Sequence, residues 1–84
     1  MKLHGYTKKD KKREASVPRK LAEVTLDASA AELREIASFL VSVAEEIDRF
    51  GSKFEHAHLS DTLPQFETSP QFIVFNSKHS TRTR

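Results

Sequence analysis

Residues 29–51 constrain the fold more than any other part of this 84-residue chain. Ser29 followed three residues later by Glu32 is a capping box, in which each side chain accepts a hydrogen bond from a backbone N–H of the first helical turn. Gly51 can adopt the left-handed conformation that ends many helices. Between them, apolar residues recur at steps of three and four: Leu33, Ile36, Leu40, Val43, Ile47 and Phe50. This pattern predicts one helix over Ala30–Phe50, roughly 30 Å long, with one apolar face.

Four short segments have the apolar pattern of strands. They are residues 2–7, 21–27, 54–59 and 72–75. The second is the clearest, because Val24 and Leu26 alternate with polar residues, whereas residues 72–75 are apolar on both faces and are expected to lie centrally or under a second layer. The order ββαββ predicts an α+β domain over residues 1–77, with a largely antiparallel four-stranded sheet and the helix across one face.

The apolar face of the predicted helix is wider than one sheet layer requires. Leu40 lies near its middle, and Phe39 and Val41 lie on its two flanks, so the apolar arc covers roughly half of the circumference. We expect Leu40 in the core. Two coverings for the remaining arc are open: a flap formed by residues 63–66, or a second copy of the chain that makes a homodimer through the helix.

Composition narrows the class of protein. The chain has no cysteine, which excludes disulfides and thiolate metal sites and is typical of a reducing compartment. The first residues lack the apolar region of a signal peptide, and no apolar run approaches the roughly 18 residues that span a bilayer. We therefore expect a cytoplasmic protein without a membrane partner.

The net charge of +2 conceals three blocks of opposite sign. Residues 2–20 carry +6 and residues 78–84 carry +3, whereas residues 21–77 carry −7. Residues 8–20 have no apolar periodicity, which predicts a mobile basic loop, and residues 78–84 are predicted to be a disordered basic tail. The folded part is acidic and its ends are basic.

The basic run near the N-terminus offers one possible nucleic-acid contact. It comprises Lys8, Lys9, Lys11, Lys12 and Arg13. No aromatic residues are interleaved on which bases could stack, and the acidic middle of the chain would repel a phosphate backbone. Nucleic-acid binding is therefore kept as the alternative function.

A His-x-His motif is the clearest candidate for a polar site. His56 and His58 would lie on the same face of a strand, with Asp61 close by in the sequence. They can make hydrogen bonds on a partly exposed sheet face, or bind one zinc ion if a third ligand joins them. The spacing identifies no third ligand, so we predict neither a metal nor another cofactor. No catalytic triad or glycine-rich phosphate loop is recognisable, and we predict no catalytic residue and no enzyme activity.

Acidic residues concentrate on the polar side of the predicted helix. They are Glu35, Glu45, Glu46 and Asp48. The carboxylates either form a solvated face or dock a basic protein, for which charge complementarity would mainly raise the association rate and the specificity.

Three motifs together suggest a family. They are E-V-T-L before the capped helix, the stop at Gly51, and H-x-H-L-x-D over residues 56–61 followed by F-I-V-F. This order, over roughly residues 23–75, resembles small bacterial immunity proteins found beside polymorphic toxins, the family numbered thirty-two. The resemblance implies an α+β protein that binds and neutralises a cognate toxin without catalysis. The residues alone leave two alternatives open, a nucleic-acid-associated or regulatory protein that uses the basic arms and a structural homodimer.

Overall fold

The computed structural model describes residues 1–11 and 17–79. Its elements, in chain order, are β1 (Leu3–Gly5), α1 (Lys8–Lys11), β2 (Arg19–Leu21), α2 (Ala30–Phe50), β3 (His56–His58), α3 (Leu59–Thr62) and β4 (Ile73–Phe75). Single 3-10 turns occupy Gly51–Lys53 and Pro64–Phe66. No helix in the described ranges is long and apolar enough to cross a membrane.

Helix α2 begins and ends at the predicted residues. The Ser29 N–H donates to Glu32 Oε1 over 2.8 Å, and the Glu32 N–H donates to Ser29 Oγ over 3.1 Å, so the capping box is complete. Gly51 has a φ of 59° and its N–H donates to the Ile47 carbonyl. Only glycine adopts such a conformation without strain, so the chain can leave the helix at this position.

The strands form two separate antiparallel ribbons instead of the predicted four-stranded sheet. β1 pairs with β2 and β3 pairs with β4, each over three residues. The β1–β2 ladder ends at Leu21, and residues 23–29 continue without strand pairing. Val24 and Leu26 therefore find no ladder partner, and they remain 61% and 50% exposed. The α+β class is confirmed, whereas the single sheet is wrong because β2 does not extend towards β3 or β4.

The buried core lies between α2 and the segments that follow it. Its buried members are Ile36, Phe39, Val43, Leu59 and Phe66. The Phe39 ring packs edge-on against Phe72 with centroids 6.5 Å apart. Residues 63–66 cover part of α2 as the flap that was one of the two coverings left open by the sequence, with Phe66 buried and Gln65 hydrogen bonded to Glu35.

The buried face of α2 is rotated from the predicted one towards Phe39. Leu40 is 43% exposed and Leu33 is 45% exposed, so the expectation that Leu40 lies in the core is wrong. The flap packs on the flank that contains Phe39, and nothing in the described residues covers the other flank. Apolar periodicity predicted an arc wide enough for both flanks but could not predict which flank the chain would cover.

Strand β4 also departs from its predicted position. Val74 packs towards the core, whereas Ile73 and Phe75 are 50% and 56% exposed. Residues 72–75 were expected to lie centrally or under a second layer, but β4 has β3 as its ladder partner and no second layer covers its outer side in the described structure.

Within the predicted basic loop at residues 8–20, the structure places α1 and β2. Residues 12–16 lie outside the described part of the chain, as do residues 80–84 of the predicted tail. The mobility of the loop and the disorder of the tail stay predictions.

Candidate functional site

Three of the predicted acidic residues lie in the last two turns of α2. Glu45 and Asp48 are exposed and Glu46 is half-buried. None of their carboxylates makes a hydrogen bond or an ion pair with any residue in the described ranges. The guanidinium of Arg49 lies 5.9 Å from the centre of the neighbouring Phe50 ring instead of pairing with an acid. We call Glu45, Glu46 and Asp48 the acidic cluster.

The position of the acidic cluster on α2 is electrostatically unfavourable. The C-terminal end of a helix carries a partial negative charge from its unpaired carbonyl groups, and it favours cations rather than carboxylates. Asp48 lies in the last turn and is therefore unfavourable in the isolated helix, whereas Glu45 and Glu46 lie one turn earlier, where this effect is weaker. A positively charged surface brought against them would remove this repulsion.

The structure does not bring Glu35 together with the acidic cluster. Ten residues of helix separate Glu35 from Glu45, a distance of roughly 15 Å along the axis. The Glu35 carboxylate accepts a hydrogen bond of 2.7 Å from Gln65 Nε2. Glu35 therefore holds the flap against α2.

The two histidines of the H-x-H motif lie on the outer side of the β3–β4 ribbon. Their ring centroids are 5.0 Å apart in an edge-on arrangement. His58 Nδ1 lies 3.0 Å from Gln71 Oε1, which makes the protonated Nδ1 tautomer the favoured one. His56 Nδ1 lies 3.7 Å from a carboxylate oxygen of the preceding Glu55. Of the two histidines only His58 makes a hydrogen bond with a described residue, and a functional role for the pair stays a prediction.

Asp61 lies in the short helix α3, directly after β3. Over residues 1–11 and 17–79, no group of three or more His, Cys, Asp or Glu side chains is arranged to hold a metal ion. The histidines and Asp61 therefore do not form a three-ligand cluster in the structure.

Asn76 is a buried polar residue that sequence reasoning missed. It is 2% exposed, and its Nδ2 donates to the carbonyls of Gly51 at 3.1 Å and Phe54 at 2.9 Å. Its Oδ1 accepts from the Lys78 N–H, and its own N–H donates to Glu55. Asn76 thus ties the end of β4 to the C-terminal end of α2. An asparagine after a strand is typical of a turn, so nothing in the sequence indicated this role.

Only part of the basic run lies in the described part of the structure. Lys8 and Lys9 are exposed in α1, and Lys11 is the last residue of that helix. Lys12 and Arg13 lie outside the described residues. Lys8 and Lys9 make no ion pair with the acids in the described part of the chain.

Asp10 is the buried acid of this N-terminal region. Its two carboxylate oxygens accept hydrogen bonds from Arg19 Nε at 2.7 Å and Nη2 at 3.0 Å. Hydrogen bonds from Arg19 and from the Thr7 N–H hold the pKa of Asp10 well below its usual range. This bidentate ion pair joins α1 to β2. Because the Arg19 guanidinium is paired with Asp10, we assign Arg19 a structural role.

Comparisons with known proteins place the chain in a family. The sequence model of the family described as Immunity protein 32 matches residues 23–78, which is two thirds of the chain. The matched range contains the whole buried core, the acidic cluster and the H-x-H motif. Comparison with curated proteins and with solved structures gives no significant match. The family suggested by the sequence motifs is confirmed, and this chain belongs to the Immunity protein 32 family.

Proposed function

We propose that this chain neutralises a cognate protein toxin by binding it, and that the acidic cluster contacts a basic surface of the toxin. The observation that supports this proposal is the position of Glu45, Glu46 and Asp48. Their carboxylates have no partner in the described structure and lie in the last two turns of α2, with Asp48 in the last turn, where a carboxylate is least favourable. Residues that lower stability without a compensating internal contact are typical of functional sites.

Charge complementarity would make this binding fast. Toxins that act on nucleic acid need basic clefts to hold the phosphate backbone. An acidic helix end is attracted to such a cleft over a distance of about one Debye length and accelerates association. The chain would then act by covering the cleft, which requires binding but no catalysis.

Exposed aromatic residues lie at the same end of the molecule as the acidic cluster. Phe50 follows the cluster on α2 and is 49% exposed. Phe75 at the end of β4 is 56% exposed, and the bond from Asn76 to the Gly51 carbonyl joins this strand end to the end of the helix. Buried aromatic anchors dominate the affinity of most protein interfaces, whereas rim charges set the association rate. We assign the anchor role to Phe50 and Phe75.

The test is a kinetic binding measurement with the toxin domain that this proposal expects to be encoded beside this chain. Glu45, Glu46 and Asp48 are replaced together by lysine. We expect the association rate constant to fall by roughly tenfold or more and its dependence on ionic strength to weaken. An unchanged association rate would remove the acidic cluster from the interface.

A matched control separates local from overall charge. Glu23, Asp27 and Glu67 are exposed acids outside α2 whose carboxylates make no hydrogen bond or ion pair with the described residues. Their replacement by lysine changes the net charge by the same amount. If this control slows association as strongly as the cluster variant, the effect is due to net charge alone.

A duplex-DNA measurement tests the alternative function. The wild-type chain is titrated with DNA at two salt concentrations under the same conditions. Tight, salt-sensitive binding that is lost when Lys8 and Lys9 are replaced by alanine would favour a nucleic-acid-associated protein over a toxin inhibitor.

A further inference from the structure

Helix α2 carries a second apolar stripe that no described residue covers. It consists of Leu33, Ala37, Leu40 and Ala44, all of which are exposed. The steps of four, three and four residues place them within an arc of roughly 60° at 3.6 residues per turn. The buried core uses a different face of the same helix, with Ile36, Phe39 and Val43. We call the four exposed residues the leucine–alanine stripe.

The stripe repeats every seven residues, which is the spacing of helices that pack along one another. Its two leucines and its two alanines alternate along the axis. When a helix packs against a copy of itself, the space between the two helices is filled best if each large side chain faces a small one. In an antiparallel pair of α2 helices, Leu33 faces Ala44 of the second copy and Ala37 faces its Leu40. A parallel pair would place leucine against leucine and alanine against alanine.

Charges beside the stripe favour the same arrangement. Arg34 and Glu45 flank the stripe on one side, near its opposite ends, and neither makes an ion pair with a residue in the described ranges. In the antiparallel pair, Arg34 lies within a turn of Glu45 of the second copy. Two-fold symmetry makes this contact twice. A parallel two-fold pair would place this flank of the two helices on opposite sides of the interface, so Arg34 and Glu45 would not meet across it.

We propose that a second copy of this chain packs antiparallel on the leucine–alanine stripe and forms a symmetric dimer. Two single helices bury less area than the roughly 1,200 Å² of most stable complexes, so dimerisation depends on protein concentration. The dimer does not depend on toxin binding. The two surfaces overlap only in part, because Glu46 lies on the side of α2 away from the stripe and is not covered by the second copy. Glu45 and Asp48 lie beside the stripe and belong to both surfaces, and dimerisation is therefore measured without toxin.

Disulfide cross-linking tests the geometry, since the chain contains no cysteine of its own. Ala37→Cys and Leu40→Cys variants are mixed and oxidised, and the products are identified by mass spectrometry. With the two variants in equal amounts, the proposal predicts the mixed 37–40 pair in clearly more than the twofold excess over either same-residue pair that random pairing gives. An Ala31→Cys variant, exposed on another face of α2, is the control and should not cross-link. An excess of same-residue pairs, or cross-linking no greater than in the control, would overturn the antiparallel dimer.

Sedimentation equilibrium over a wide concentration range tests the dimer itself. Leu40→Lys and Arg34→Glu should each raise the dimer dissociation constant by about tenfold or more, because each removes a contact at the two-fold interface. Combining Arg34→Glu with Glu45→Arg restores the opposite charges and should restore dimerisation. Circular dichroism shows whether each variant is folded. A wild-type chain that stays monomeric at millimolar concentration, or a charge-swap variant that does not recover, would refute the proposal.

Discussion

Replacing Asn76 is the sharpest test of how the end of β4 is held against α2. The side chain is buried and makes three hydrogen bonds, two as a donor and one as an acceptor. Asn76→Ala removes all three and leaves the Phe54 carbonyl without its donor, whereas the Gly51 carbonyl still accepts from the Phe54 N–H. Asn76→Asp keeps the size and the acceptor of the side chain but replaces the donor by an oxygen that faces those carbonyls.

The expected loss follows from these contacts. An internal hydrogen bond contributes about 0.5–1.5 kcal/mol net, and a buried group left unpaired costs about 1–3 kcal/mol. Gly51 is exposed and Phe54 is half-buried, so water can replace part of what the carbonyls lose. We therefore expect Asn76→Ala to lower the free energy of unfolding by about 2–3 kcal/mol, and Asn76→Asp by at least as much.

Urea unfolding monitored by circular dichroism measures both changes. Ser77→Ala, at the exposed next position, is the control and should stay within about 0.5 kcal/mol of wild type. If Asn76→Asp were as stable as wild type, the amide would not be acting as a donor, and the assigned bonds to Gly51 and Phe54 would be refuted.

Three further predictions concern the core, the N-terminal ion pair and the histidines. Phe39→Ala should lower the free energy of unfolding by about 3–5 kcal/mol, whereas Leu40→Ala should lower it by less than about 1 kcal/mol below the concentration at which the chain dimerises; equal losses in urea unfolding would contradict the observed core. The lowered pKa of Asp10 stabilises the link between α1 and β2 above the pKa of the unfolded chain, and this contribution is lost as the pH falls through the folded value. An NMR titration of Asp10 should therefore show a midpoint below about 3.9, and Asp10→Asn should remove the acid transition of the neighbouring amides. His56 and His58 should bind zinc no more tightly than micromolar, because the described residues supply no third ligand; sub-micromolar affinity by calorimetry that is lost in both alanine variants would overturn this expectation.

Local signals in the sequence were sufficient to predict α2. The capping box at Ser29 and the stop at Gly51 depend on residues within one turn of each helix end, and both act as expected. Strand pairing depends on residues far apart in the chain, so the alternation of Val24 and Leu26 could predict an extended segment but not whether it would find a partner. For the same reason, apolar periodicity did not decide between Phe39 and Leu40 as the buried residue.

The candidate site was predictable in part. Spacing alone placed Glu45, Glu46 and Asp48 on one stretch of helix, but only the structure shows that these carboxylates lack partners whereas Glu35 is hydrogen bonded to the flap. The structural role of Asn76 depends on carbonyls more than twenty residues earlier. No local pattern indicates such a contact.

The most direct test of toxin neutralisation is bacterial growth with the toxin domain that the proposal expects to be encoded beside this chain. The toxin is expressed alone, with the wild-type chain, and with the variant in which Glu45, Glu46 and Asp48 are lysine, with the levels of both chains checked by immunoblot. The proposed function predicts that the wild-type chain restores growth and that the variant restores it less well at equal expression. Growth arrest that the wild-type chain does not relieve, with both proteins present and folded, would contradict the proposal that it neutralises this toxin by binding.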